Sequence, residues 1–241
     1  KTLAAGIAPV IIGTVLAWRD GQAHWGAAAV CLLAAMSVQI GTNFANDYYD
    51  FIKGADTAER IGPTRAVQAG LVTPAQMRVA FLLAFGLFLL ISAGFAWWRG
   101  WPLLVLGVLA AASGVLYTGG PRPLGYLGLG DIFALVFFGP VCVAATAFVQ
   151  RGQLLPLDIV AGIQPGLLSV ALLTVNNLRD VSGDAKAGKR TLAVRFGVTF
   201  ARWEYTLAIV GAALLPGLIS LWQGRWPWLW LSLALLLPAV P

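Results

Sequence analysis

Long apolar stretches, separated by short polar loops, run along almost the whole chain. A transmembrane helix needs about 20 mostly apolar residues, and eight stretches approach or reach that length. Their apolar residues are continuous rather than alternating, which predicts helices and argues against a β-barrel. The eight predicted spans are residues 2–18, 25–50, 76–98, 101–118, 127–149, 157–181, 199–220 and 226–241.

The composition supports an all-α membrane protein. Of the 241 residues, 59% are hydrophobic and 11% are charged, whereas soluble domains average about 45–50% and about 25%. No polar linker separates soluble domains, so we expect one multi-spanning helical bundle over residues 1–241. Because the chain begins with Lys1 and stops inside an apolar run, we also expect that one or both ends are trimmed.

The basic residues predict how the bundle is oriented. The loops 53–78, 119–126 and 179–202, together with Lys1, carry 12 of the 16 lysines and arginines. Because cytoplasmic loops of membrane proteins are enriched in Lys and Arg, we expect these loops to face the cytoplasm. This bias accounts for the net charge of +6 without a nucleic-acid partner.

Two polar motifs close the second and sixth predicted spans, and each is followed by a basic loop that contains glycine. Because these spans are an even number apart, both motifs emerge on the same side. Charged groups at the end of a membrane helix are costly to place there and usually have a function. The acidic and amide residues at helical spacing are Asn46, Asp47 and Asp50 in the first motif and Asn177, Asp180 and Asp184 in the second.

These motifs predict a metal–diphosphate site. Carboxylates that face each other across a bundle cannot all ionise unaided, and a divalent cation resolves the conflict. The ligands are oxygen atoms, and the only histidine, His24, lies near the opposite membrane face, which favours Mg²⁺ over zinc. Arg and Lys bind diphosphate oxygens, and the basic candidates are Lys53, Arg60, Arg65, Lys189 and Arg190. Hydrogen bonding between helices is the structural alternative, but it accounts for one or two such residues rather than two sets.

Aromatic and acidic residues elsewhere extend the candidate site. Tyr117, at the end of span four, and Asp131, near the start of span five, flank the loop between these spans on the same side as the motifs, and are candidates to contact substrate. A glycine-proline turn capped by Asp131 explains them equally well. Tyr48 and Tyr49 are candidates to stabilise positive charge through their ring faces.

The motifs resemble those of the UbiA superfamily of intramembrane prenyltransferases. Within it they are most similar to the enzymes that prenylate 1,4-dihydroxy-2-naphthoate in menaquinone synthesis. The matching segments are Asn46-Asp47-Tyr48-Tyr49-Asp50, Gly62-Pro63-Thr64-Arg65-Ala66-Val67, Tyr117-Thr118, Gly128-Leu129-Gly130-Asp131, Asn176-Asn177-Leu178-Arg179-Asp180 and Gly188-Lys189-Arg190.

The resemblance implies nine helices around a central cavity, of which this chain has eight, with loops that cap the site from the cytoplasm. It implies a bacterial cytoplasmic (inner) membrane as the location, and two Asp-rich motifs that bind Mg²⁺ and a prenyl diphosphate. Asp56 joins the metal candidates on this ground. Many relatives carry the next acid four residues after the position of Asp50, where this chain has Gly54.

The expected activity is Mg²⁺-dependent transfer of a polyprenyl group from its diphosphate to dihydroxynaphthoate, with decarboxylation to demethylmenaquinone. The expected partners are polyprenyl diphosphate, an aromatic acceptor and the lipid bilayer. One alternative is another aromatic acceptor, such as 4-hydroxybenzoate. An alternative of another class is a cation-coupled secondary transporter, which predicts carboxylates near the membrane midplane rather than at one end.

Overall fold

The structure is a computed structural model that describes residues 3–55 and 62–224. Within these ranges the secondary structure is entirely helical. A π-helical turn, Phe137–Val141, joins α5 to α6, so the eight helices form seven rods. The helices are α1 Leu3–Arg19, α2 Trp25–Ile52, α3 Pro74–Arg99, α4 Pro102–Leu116, α5 Gly130–Val136, α6 Cys142–Arg151, α7 Pro156–Lys186 and α8 Leu192–Trp222.

Five rods in the described part of the chain are long and apolar enough to cross a membrane. They are α2, α3, the joined rod α5–α6, α7 and α8. The two remaining predicted spans in this part form shorter apolar helices, α1 with 17 residues and α4 with 15. The predicted all-α fold is thus confirmed for the described residues, whereas the predicted eighth span, 226–241, lies outside them.

The surface of the bundle is suited to lipid rather than to water. On α3, for example, Leu83, Leu90 and Trp97 are 69%, 71% and 95% exposed. Soluble monomers rarely expose continuous apolar surface on this scale. Trp25 and Trp101 are also exposed, at the end of the bundle opposite the two motifs, where indole rings favour the headgroup region.

Helix α7 lies at the centre of the packing and contacts α1, α5, α6 and α8. Small residues allow a close crossing, since a Cβ atom on Gly162 would lie 2.5 Å from the Cα atom of Pro140. Gly139 in the π-helical turn leaves helical geometry (φ −114°, ψ −115°) beside this contact. Small residues at such crossings let membrane helices pack backbone to backbone, and the crossing fixes α7 against the rod α5–α6.

A buried polar network closes the end of the bundle opposite the motifs. The Arg151 guanidinium, at the end of α6, forms ion pairs with Asp158 at the start of α7 and with Asp20 after α1. Gln150 donates to the hydroxyl of Thr14 and accepts from the backbone N–H of His24. We call these contacts the Arg151 network. It links α1, α2, α6 and α7 at this end of the bundle, whereas the two motifs lie at the opposite end.

Candidate active site at the ends of α2 and α7

Glycine turns end both motif helices and fold each following loop back over the last helical turn. After α2, Gly54 has φ +67°, and the backbone N–H of Ala55 donates to the carbonyl of Asp50. After α7, Gly188 has φ +73°, and the backbone N–H of Lys189 donates to the carbonyl of Asp184. Glycine tolerates this left-handed conformation at a helix C-terminus. These turns bring the basic residues that follow each motif close to its acids.

Asp50 is the centre of the site. Its side chain is almost fully buried, and three groups from three other segments approach it. Arg65 Nη2 lies 3.4 Å from Oδ2, Lys189 Nζ lies 3.1 Å from Oδ1, and the Tyr126 hydroxyl donates to Oδ1 over 3.4 Å. Charge-assisted hydrogen bonds are usually about 2.7–2.9 Å long. The Arg65 and Tyr126 contacts are therefore long, whereas Lys189 lies within hydrogen-bond distance of both oxygens of Asp50.

Lys189 connects the two motifs. Its ammonium group lies between Asp50 at the end of α2 and Asp184 near the end of α7, 3.9 Å from Oδ1 of the latter. The prediction that the two acidic helix ends meet is therefore supported by the contacts of one side chain.

Tyr126 supports the two lysines of the site. The Lys53 and Lys189 ammonium groups lie 5.1 Å and 5.2 Å from the centre of its ring, within the range of cation–π attraction. Lys53 also donates to the carbonyls of Thr118 and Gly120. Burial lowers the pKa of Lys53, and Lys189 acts in the same direction while Asp50 opposes it.

Backbone pairing between two loops places Tyr126 beside Lys189. The backbone N–H of Arg190 donates to the carbonyl of Tyr126 over 3.0 Å. A Cβ atom on Gly128 would lie 2.6 Å from the carbonyl oxygen of Arg190, so glycine permits this approach. The Arg190 residue itself is exposed, and with Arg195 it lines an open, positively charged surface recess next to the site.

Asp47 holds a loop in place. Its buried carboxylate accepts backbone N–H groups from Ala66, over 2.9 Å, and from Val67, over 3.3 Å. These bonds fix the loop that carries Arg65 against the end of α2. Asp47 thus positions Arg65, and its predicted role as a metal ligand remains a prediction.

The other candidates in the two motifs lie on the same helix ends. The Asn46 amide oxygen accepts from the Thr118 hydroxyl over 3.0 Å. Asn177 is partly buried on α7. Asp180 is paired with Arg179 at 2.6 Å. Asp56 and Arg60, the remaining metal and diphosphate candidates, lie outside the described residues.

Three aromatic candidates have different surroundings. The rings of Tyr48 and Tyr49 pack against Phe81 of α3, with centres 5.6 Å and 6.0 Å away, in the aromatic contact between α2 and α3. Tyr117 follows the last residue of α4 and lies next to the start of α5. A Cβ atom on Gly130 would lie 2.8 Å from the hydroxyl oxygen of Tyr117. Burial raises the pKa of Tyr117, and nearby Asp131 raises it further. Tyr117 is therefore a neutral phenol at physiological pH.

The residues at this site suit Mg²⁺, the ion implied by the resemblance. Asp50 and Asp184 supply hard oxygen donors from two helices, and both approach one positive centre, the Lys189 ammonium. Within residues 3–55 and 62–224, no three acidic, histidine or cysteine side chains cluster closely enough to hold a metal by themselves. Mg²⁺ commonly binds one or two carboxylates and completes its shell with water and substrate phosphates, so the donor set fits an ion that arrives with a diphosphate.

The sequence motifs did not reveal every residue of the site. Tyr126 appears in the sequence only as one tyrosine in a glycine-rich loop, and its position between two lysines depends on loop pairing. Thr118, which holds Asn46, and Glu204, on α8, also lie outside the Asp-rich motifs. The available signal for Glu204 was that it is the only acidic residue of α8.

Comparison with known proteins identifies the family. The model of the UbiA prenyltransferase family matches residues 6–241. The chain belongs to the UbiA prenyltransferase family. The predicted superfamily and enzyme class, a prenyltransferase, are thereby confirmed.

Named UbiA-family relatives cover most of the chain. The 1,4-dihydroxy-2-naphthoate octaprenyltransferase of Escherichia coli (strain K12) is 39% identical, over 98% of this chain and 80% of that protein. The protein of the same name from Mycobacterium tuberculosis is also 39% identical, over 88% of this chain and 73% of its own length. The fold matches the solved structure of a UbiA homolog from Archaeoglobus fulgidus bound to DMAPP and Mg²⁺, with a TM-score of 0.62, 16% identity, and coverage of 98% of this chain and 83% of that one.

Proposed function

We propose that this protein transfers a polyprenyl group from polyprenyl diphosphate to 1,4-dihydroxy-2-naphthoate in a Mg²⁺-dependent reaction. The observation that carries the proposal is the meeting of Asp50, Asp184 and Lys189 at the ends of α2 and α7. The acceptor is proposed from the names of relatives with 39% identity. The product, after loss of carbon dioxide, is the hydroquinone demethylmenaquinol, the reduced form of demethylmenaquinone.

The diphosphate is bound by side chains that already surround Asp50. Lys189 and Arg65 both lie beside this carboxylate, and both can donate hydrogen bonds to diphosphate oxygens. Asp50 and Asp184 would hold the metal ion, with the oxygens of Asn46, Asn177 and Asp180 nearby on the same helix ends. When bound, Mg²⁺ supplies Lewis-acid stabilisation of the charge that develops on the leaving diphosphate.

The rest of the chain keeps water away from the reacting carbon. As the allylic carbon–oxygen bond breaks, its electron pair stays with the diphosphate, and the electron-rich ring of the acceptor bonds to the allylic carbon. Apolar helices around the site exclude water, which would otherwise capture the allylic cation. The Tyr48 and Tyr49 rings are proposed to stabilise positive charge at the α2–α3 side.

The membrane setting explains why the site lies at helix ends. A polyprenyl tail is insoluble in water and stays in lipid, whereas the diphosphate remains charged and hydrated. We therefore assign residues 1–241 to one UbiA-type domain of a bacterial cytoplasmic (inner) membrane, with nine helices around a central cavity in the whole enzyme. The excess of basic residues in the loops 53–78, 119–126 and 179–202 supports a site that faces the cytoplasm.

Product analysis tests this function. Purified protein in lipid nanodiscs is incubated with Mg²⁺, octaprenyl diphosphate and either dihydroxynaphthoate or 4-hydroxybenzoate, and the products are identified by mass spectrometry. We expect prenylated, decarboxylated product from dihydroxynaphthoate. If product forms only from 4-hydroxybenzoate, the enzyme is still a prenyltransferase but its acceptor is not dihydroxynaphthoate. Cation-driven flux in liposomes without diphosphate release would instead support a transporter.

A further inference from the structure

A second pair of carboxyl groups lies outside the two Asp-rich motifs. Asp131, at the start of α5, is only 6% exposed, and its Oδ1 atom has no hydrogen-bond partner among the described residues. Glu204, on α8, is partly buried and close enough to Asp131 for the two carboxyl groups to interact electrostatically. The Asp-rich motifs do not include either residue, so the pair needs its own explanation.

The described residues around Asp131 leave its Oδ1 atom without a hydrogen-bond donor. Glu204 is better supplied, because the Thr174 hydroxyl of α7 lies within hydrogen-bond reach of it, but this hydroxyl also donates to the carbonyl of Val170 over 2.9 Å. A hydroxyl has only one hydrogen to donate. A buried carboxylate oxygen without a donor is costly, and such an atom at the edge of an active site suggests a ligand that brings its own O–H group.

Tyr117 locates the pair relative to the diphosphate site. Its hydroxyl lies next to Gly130, the neighbour of Asp131 in the chain. The same phenol is close enough to Asp131, Asp184 and Asp50 for all three carboxyl groups to raise its pKa. The contact of Tyr117 with Gly130 and these electrostatic interactions put Asp131 at the same end of the bundle as the proposed metal ligands.

We propose that Asp131 and Glu204 bind the hydroxyl group of the aromatic acceptor, an inference that rests on the proposed function. In 1,4-dihydroxy-2-naphthoate, the 1-hydroxyl is adjacent to the carboxylate and bonds to it, whereas the 4-hydroxyl is free to donate. The carboxyl pair attracts this free hydroxyl and repels the carboxylate of the substrate. The acceptor therefore binds with its 4-hydroxyl toward α5 and α8 and its carboxylate turned toward the basic loops.

Two ligands that differ by one hydroxyl test this assignment. In detergent-solubilised protein, tryptophan quenching measures the affinity for 1,4-dihydroxy-2-naphthoate and for 1-hydroxy-2-naphthoate, which lacks the 4-hydroxyl. The variants are Asp131→Asn, Asp131→Ala and Glu204→Gln. Tyr205→Phe, on the exposed neighbour of Glu204, is the matched control. Wild type and control should prefer the dihydroxy ligand by about tenfold, as expected for one hydrogen bond to a charged group.

The variants should lose most of this preference and raise the KM for the acceptor about tenfold, with the KM for octaprenyl diphosphate within about twofold of wild type. If Asp131 has a purely structural role, its substitution should lower the affinity for both naphthoate ligands equally, and that result would overturn the inference. An unchanged preference in Asp131→Ala would also overturn it. If wild type forms no product from dihydroxynaphthoate, the proposed function fails and the inference fails with it. If wild type forms product from dihydroxynaphthoate but the variants still prefer the dihydroxy ligand as wild type does, the proposed function stands and only the role of the carboxyl pair is overturned.

Discussion

The ammonium nitrogen of Lys189 lies 3.1 Å from Oδ1 of Asp50, although 139 residues separate the two in the chain. This contact joins the loop after α7 to the last turn of α2. Because Asp184 approaches the same ammonium at 3.9 Å, one lysine forms ion pairs with carboxylates from both motifs. The predictions below separate residues that bind substrate from residues that hold the site together.

Replacing Lys189 tests its role in diphosphate binding. Lys189→Met keeps the length of the side chain and removes its charge, so we expect the KM for prenyl diphosphate to rise about tenfold or more, as for loss of a hydrogen bond from a charged group. Initial rates at varied prenyl diphosphate provide the measurement. Arg122→Met, at an exposed cation on the same face, is the control and should change this KM less than twofold. Equal effects of the two variants would indicate a general electrostatic contribution instead.

Asp47 and Asp50 should respond differently to substitution. Asp47→Ala removes the acceptor for the backbone N–H groups of Ala66 and Val67, so faster hydrogen exchange is expected in residues 62–70. The Mg²⁺ concentration for half-maximal activity should stay near that of wild type. Asp50→Asn should increase that concentration or abolish activity, with exchange in the loop unchanged. A large shift in the Mg²⁺ requirement of Asp47→Ala would make Asp47 a metal ligand after all.

Tyr126 is expected to act mainly through its ring. Its hydroxyl contact with Asp50 is long, 3.4 Å, whereas both lysines lie over the ring face. Tyr126→Phe should therefore keep kcat/KM for prenyl diphosphate within about threefold of wild type. Tyr126→Leu removes the cation–π contacts, each worth about 0.5–2 kcal/mol, and should lower kcat/KM about tenfold. Equal losses in Phe and Leu variants would assign the effect to the hydroxyl.

The Arg151 network should contribute stability rather than catalysis. Arg151→Met leaves the buried Asp158 carboxylate without its ion-pair partner, and breaking a buried pair in this way costs about 3–5 kcal/mol. Thermal unfolding in detergent should show a lower midpoint for this variant. The double variant Arg151→Met/Asp158→Leu removes both charges and should recover much of the loss. Activity per folded molecule should match wild type in both, since the network lies at the opposite end of the bundle.

Much of this arrangement was predictable because it follows from local sequence. The apolar stretches predict the rods, and the spacing of Asn46 and Asp50 predicts a shared helix face. Because spans two and six are an even number apart, the sequence also predicted that both motifs emerge on the same side. The glycines after each motif marked the helix ends, and their turns bring Lys189 back toward Asp184.

Other features depend on contacts between distant segments, which no local pattern contains. Asp47 has the same spacing signal as Asp50, yet its carboxylate holds backbone N–H groups about twenty residues away. Tyr126 reaches Lys189 only because its carbonyl pairs with the backbone of Arg190. The break between α5 and α6 depends on the close approach of Gly139 to Gly162. Such pairings are decided by tertiary packing.

Release of labelled diphosphate from octaprenyl diphosphate in the presence of dihydroxynaphthoate tests most directly whether the two motifs form one Mg²⁺-diphosphate site. Wild type should release diphosphate with Mg²⁺ and stop when the ion is chelated. Asp50→Asn and Asp184→Asn, one from each helix, should both lose at least about a hundredfold in rate while remaining folded, and Thr206→Val, at an exposed position of α8, should match wild type. Full activity in either Asp variant, or release that continues without a divalent ion, would contradict this account.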